Sequence, residues 1–117
     1  MKLVSKGSFD RLQQALAKEF IRVVKRELES VEAPPEVVEQ LAGSIAFSVA
    51  SLLDGVTFLE HDGEPISPML TFQVGEEELE FAGGNSWIHE YIYRLLPSVF
   101  AKGPEQAQQA GRGEADA

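Results

Sequence analysis

The sequence predicts an α+β fold: two N-terminal helices, a three-stranded antiparallel meander, and a C-terminal helix packed on one face of the sheet. Apolar residues recur every three or four positions up to Leu53, every second position between Val56 and Phe81, and every three or four again from Ile88. Pro34-Pro35, Asp54-Gly55 and Gly83-Gly84 stand at the boundaries. A sheet with one apolar and one polar face takes helices on the apolar face only.

The first helix is predicted from Ser8, its N-cap. Phe9, Leu12, Leu16, Phe20, Val23 or Val24, and Leu28 form its apolar stripe. On its polar side Arg11, Lys18, Arg22 and Lys25 share one face as a basic stripe. The paired prolines end this helix, and the second of them can open the next at its first turn.

In the second helix Val38, Leu41, Ala42, Ile45, Val49, Leu52 and Leu53 face one way, and Gly43, Ala46, Phe47, Ala50 and three serines fill the rest. From Gln40 to Leu53 the chain carries no charge. That predicts a central helix contacted on several sides, in which Ile45→Asp would unfold the protein. Gly55 suits the left-handed conformation common just past a helix end.

The meander is predicted as "VTFLEH", the turn "DGEP", "ISPMLTFQV", the turn "GEEE", and "LEF". Ile66, Leu70, Phe72, Val74, Leu79 and Phe81 would share the apolar face, with Thr71, Gln73, Glu78 and Glu80 on the solvent face. Asn85 or Ser86 would cap a third helix striped by Ile88, Tyr91, Ile92, Leu95 and Leu96. Residues 1–100 thus read as one domain. Residues 101–117 hold no large apolar side chain and read as a disordered tail.

Charge divides the chain more sharply than its net of −9 implies. Residues 1–26 hold seven Lys and Arg against two acids, and residues 27–117 three against seventeen. The absence of cysteine excludes disulfides, thiolate metal sites and cysteine nucleophiles. "MKLVSKGSFD" lacks the apolar core of a signal peptide, and the uncharged run is short and rich in Ser and Gln for a bilayer span. The expectation is a cytoplasmic protein with no membrane partner.

Chemistry-bearing motifs are sparse. Only His61 and His89 could join carboxylates at a metal, and "EHDGE" alternates its side chains across a strand end. "GGNSW" is no nucleophile elbow, and "AGGNS" lacks the spacing and Lys of a phosphate loop. No catalytic residue, metal ligand or cofactor is expected, which leaves the question of an enzyme open and leaning to no.

The stretch "SLLDGVTFLEHDGEPISPMLTFQV", a helix end followed by a strand and a proline-containing second strand, is similar to small acidic bacterial proteins of unknown function, some of them immunity-protein-like. The resemblance implies a non-catalytic module that binds and blocks a partner, with no catalytic residues to carry over. The matching expectation is a protein partner with a basic surface, met by Glu76, Glu77, Glu78, Glu80 and Trp87. Two alternatives stand beside it. One is nucleic-acid or anion binding through Arg11, Lys18, Arg22 and Lys25, which the net negative charge opposes. The other is a small-molecule or enzymatic pocket between central helix and sheet, under Trp87 and Tyr91. A homodimer also fits, because Trp87, Tyr93 and Phe100 exceed what one small core buries and the third strand leaves an open edge.

Overall fold

The computed structural model describes residues 1–101. The tail expected from residue 101 therefore lies, from residue 102 on, outside the described residues. The chain runs β1 (Lys2–Val4), α1 (Phe9–Ser30), α2 (Pro35–Leu53), β2 (Glu60–His61), β3 (Glu64–Pro65), β4 (Thr71–Gln73), β5 (Glu78–Phe81) and α3 (Ile88–Val99). The α+β class holds, and the helices fall where the 3.6-residue period puts them.

The three helices pack against one another, each touching the other two. Their shared core is Ala17 and Ile21 of α1, Ala42, Ala46 and Ala50 of α2, and Ile88 and Ile92 of α3. Four alanines among these seven residues let the helix backbones approach closely, and the isoleucines fill the space between them. Gly43 extends this logic. A Cβ there would sit 2.9 Å from Tyr93 Cε1 and 3.2 Å from Leu96 Cδ2, so a side chain would push α3 away.

Only one side of α2 is covered. Val38, Ala42, Gly43, Ala46, Ala50 and Ser51 are buried. On the other side Ile45, Val49 and Leu52 are 39%, 50% and 41% exposed. The expectation of a helix contacted all round is thus corrected. The other two helices supply neighbours for one face of α2, and the uncharged run continues past what they can cover. With 19 residues and a mean hydropathy of 1.3 over its most apolar window, α2 reaches the length and apolarity of a bilayer-crossing helix.

The sheet also differs from the expected meander. It is mixed, in the order β1-β5-β4. β1 lies parallel to β5, pairing Lys2 with Glu78, Leu3 with Leu79 and Val4 with Glu80. β4 lies antiparallel to β5, pairing Thr71 with Phe81, Phe72 with Glu80 and Gln73 with Leu79, so Phe72 shares a face with Glu80 rather than, as expected, with Leu79 and Phe81. The strand expected to leave an open edge is the middle one. Of "VTFLEH" only Glu60 and His61 form a strand, in a separate hairpin with Glu64 and Pro65. Its Asp62-Gly63 turn has φ of 51° and 79°, the pair of positive values that a two-residue hairpin needs. β1 escaped the sequence reading because three residues are too few to show a period.

Sheet and helices join at Phe9 and Phe72, whose rings meet edge to face at 5.2 Å, and at Leu70, which packs on the helical core. α3 packs chiefly on α1 and α2 rather than across the sheet.

Candidate functional site

Of the acidic residues expected on the outer sheet face, Glu80 is a correction. It is 1% exposed. Because β1 pairs parallel to β5 and leads directly into α1, the start of α1 lies over the face that β5 was expected to show to solvent. Glu80 Oε2 accepts hydrogen bonds from the amides of Lys6 (2.9 Å), Gly7 (3.1 Å) and Ser8 (3.2 Å). Ser8 makes no side-chain cap, and the Glu80 carboxylate gathers the three amides of the segment that leads into α1. A carboxylate there also meets the positive end of the helix dipole. Glu78 binds Lys6 Nζ at 2.6 Å, and that hydrogen bond holds its carboxyl below the usual range. Glu76 and Glu77 are exposed, Glu77 lying 3.9 Å from the N-terminal amine. The expected acidic face is therefore two glutamates at a turn.

A second buried carboxylate serves α3. Asp54, at the C-cap of α2, accepts from the His89 amide at 2.7 Å and from His89 Nδ1 at 2.6 Å through Oδ2, and from the Ser86 hydroxyl through Oδ1. A carboxylate only accepts, so Nδ1 carries the proton. Gln13 of α1 adds its side-chain oxygen to the Trp87 amide at 2.8 Å. The cap expected from Asn85 or Ser86 is thus delivered by two other elements. Asn85 instead donates to the Asp54 carbonyl at 3.0 Å. Ser86, Asp54 and His89 do not form a hydrolytic triad. The carboxylate stands between hydroxyl and imidazole, whereas nucleophilic serine needs the imidazole in the middle.

His89 sits within an aromatic row. Its ring lies 5.8 Å from both Trp87 and Phe47, and Phe47 lies 5.6 Å from Tyr93. Trp87 is 55% and Tyr93 53% exposed, so the row runs along the α2–α3 junction as a surface ridge. Acids flank both ends. Glu90 lines the open cleft of about 400 Å³ beside Trp87, and Glu36 and Glu39 line the one beside Tyr93. Of this group the sequence reading singled out Trp87 as a contact and noted Tyr93 as surplus to the core. Phe47 belongs, by its place in the uncharged run, to the helix expected to be buried. Phe100, counted with the surplus aromatics, packs against the core and under Lys25 Nζ at 5.5 Å.

The basic stripe is partly internally paired: Arg22 binds Glu19, and Lys25 binds Glu29 at 2.9 Å, within the same helix. Arg11 is exposed and Lys18 half-buried. The cleft holding Trp87 and Tyr91 lies between α1 and α3, not between central helix and sheet, and Asp10, Gln13 and Arg94 complete it. There Tyr91 donates to Asp10. That bond, with those from Gln13 and Gln14, keeps the Asp10 carboxyl below its ordinary range, and the bond to Asp10 raises the Tyr91 phenol. Among the described residues no three His, Asp or Glu side chains gather as a metal site. Comparison with family models, curated proteins and solved structures finds no match to this chain.

Proposed function

We propose that this chain is a non-catalytic protein-interaction module of the inhibitor or immunity type, which engages a basic-surfaced protein through the ridge Trp87–His89–Phe47–Tyr93. The single observation carrying this reading is that ridge: Trp87 and Phe47 each pack on His89, Phe47 packs on Tyr93, and acids line the clefts at both ends. Trp and Tyr are the side chains that dominate binding energy when a partner desolvates them. His89 is immobilised by Asp54, so the ridge loses little rotamer freedom on binding. Glu36, Glu39 and Glu90 at its ends favour a partner with Lys or Arg around an apolar centre, which speeds encounter and selects against acidic surfaces. Glu76 and Glu77 add to the acidic field without being part of the contact.

The test is capture by the tagged full-length chain, identification of what is bound, and association kinetics with the purified partner. Trp87→Ala should weaken binding by about 2 kcal/mol or more, the loss typical of a central aromatic anchor. Reversing Glu36 and Glu39 to Lys should slow association and leave dissociation nearly unchanged. A partner whose binding ignores Trp87→Ala refutes the ridge. Capture of nucleic acid, lost on changing Arg11 and Lys18 to Glu, would favour the basic stripe instead.

A further inference from the structure

The outer face of α2 belongs neither to the core nor to the aromatic ridge. Leu41, Ile45, Ser48 and Leu52 recur at spacings of four, three and four, with Val49 beside Ile45. On a helix of 3.6 residues per turn these fall on one side. Leu41 is half-buried, and the rest are exposed. Phe47, on the ridge, points away from this row toward α3.

We infer that this seam is a self-association surface, where α2 of a second copy of this chain packs antiparallel about a two-fold axis between Ala46 and Phe47. Two properties select that occupant, and a third sets how tightly it binds. The row is self-complementary: in the antiparallel register Leu41 meets Leu52 of the second copy, and Ile45 meets Ser48. A large side chain thus faces a small one at both central positions, the knob-and-hole match of a helical seam. A two-fold interface requires such a match of one patch with itself.

Charge is the second property. The chain has a net charge of −9, so two copies repel wherever charged surfaces meet. From Gln40 to Leu53 there is no charge to oppose. The same neutrality gives a strongly charged partner nothing to recognise, which separates this seam from the acid-flanked ridge. Antiparallel helices also place opposite ends of their dipoles together.

The third property is size. From Leu41 to Leu52 the seam spans about 17 Å at 1.5 Å per residue. One helix face of that length falls short of the roughly 800 Å² per partner of a standard interface. The dimer is therefore reversible and dissociates on dilution. This inference does not rest on the proposed heterologous partner, since neither Trp87 nor Tyr93 enters the seam.

Sedimentation velocity of the full chain across the micromolar range tests it. Wild type should shift from monomer to dimer with concentration. The dimer should strengthen as salt rises from about 0.1 M to about 1 M, because screening relieves repulsion between acidic copies while the seam holds no ion pair to lose. Ser48→Lys should weaken dimerisation by about a hundredfold, since it places an unpaired charge in a desolvated seam. Ser48 is exposed in the monomer, so this variant folds. Ile45→Asp should do the same, and mixing the two variants should restore a dimer, because only the antiparallel register sets residue 45 against residue 48. Wild type that stays monomeric at the highest concentration overturns the inference. So does a dimer indifferent to Ser48→Lys, or a mixture that fails to pair. Co-sedimentation of monomeric wild type with phosphatidylcholine vesicles would assign the seam to a lipid surface and likewise overturn it. Trp87→Ala should leave dimerisation unchanged, so failure of the ridge and failure of the seam read out separately.

Discussion

β5 and the outer face of α2 treat polarity in opposite ways. On β5 a carboxylate, Glu80, is enclosed at 1% exposure, while on α2 the aliphatic Ile45 and Val49 stand 39% and 50% in solvent. Glu80 is enclosed because three successive amides of the β1–α1 connection, those of Lys6, Gly7 and Ser8, converge on one of its oxygens. Burying that charge satisfies donors that would otherwise be costly to leave unpaired. The α2 face is bare for a complementary reason: α1 and α3 occupy one side of the helix, and the sheet sits at the start of α1 rather than over α2. Hydrogen-bond supply decides where the charge goes, and the number of available neighbours decides which apolar groups stay uncovered.

Breaking the β5 side should have the largest effect. Glu80→Ala removes the acceptor of three amides and should cost about 3 kcal/mol, since a buried charged partner of hydrogen-bonded groups is lost. That corresponds to a fall of roughly 15 °C in the melting midpoint of a domain this size. A midpoint within a few degrees of wild type would mean that solvent replaces these three bonds at little cost. Asp54→Ala acts at the α3 N-terminus in the same way and should cost about 2 kcal/mol, a slightly smaller loss because Gln13 still serves the Trp87 amide.

Substitutions on α2 sharpen the contrast between its two faces. Gly43→Val, on the covered face, should cost about 1–3 kcal/mol by forcing Tyr93 and Leu96 aside. Val49→Asp, six positions further on the bare face, should cost under about 1 kcal/mol in the monomer and be read by urea denaturation at low protein concentration. Equal losses at the two positions would show that the outer face is covered after all.

The smallest effect is acid sensitivity. The folded carboxyls of Asp10 and Glu78 lie below their ordinary values, by the Tyr91 and Lys6 hydrogen bonds respectively. A depressed folded pKa adds stability above the unfolded value and loses it as pH falls through the folded one. Stability should therefore decline below about pH 4, the ordinary carboxylate range, and Tyr91→Phe should shrink that decline. The raised Tyr91 phenol has the opposite sign. Its contribution is complete below the unfolded value near 10 and fades as pH rises through the folded one. An acid limb unchanged in Tyr91→Phe would remove Asp10 as its source.

The sequence by itself determined the helices, because Phe9 to Leu28, Val38 to Leu53 and Ile88 to Leu96 each carry an apolar stripe long enough to show the helical period. It determined the breaks as well: Pro35 at the first turn of α2, Gly55 in a left-handed conformation just past its end, and the Asp62-Gly63 turn, all of which depend on local backbone chemistry. It marked Trp87 as more aromatic surface than one small core buries, and Trp87 stands 55% exposed. Only the tertiary structure decided the partner of β1, and with it the burial of Glu80. A three-residue strand paired 76 residues away carries no local signal, and the alternation of β5 says which side chains share a face but not what covers it. Only the tertiary structure divided the uncharged run of α2 into a covered and a bare face. Hydropathy records that a residue gains by leaving water, and the count of neighbours within reach decides whether it does.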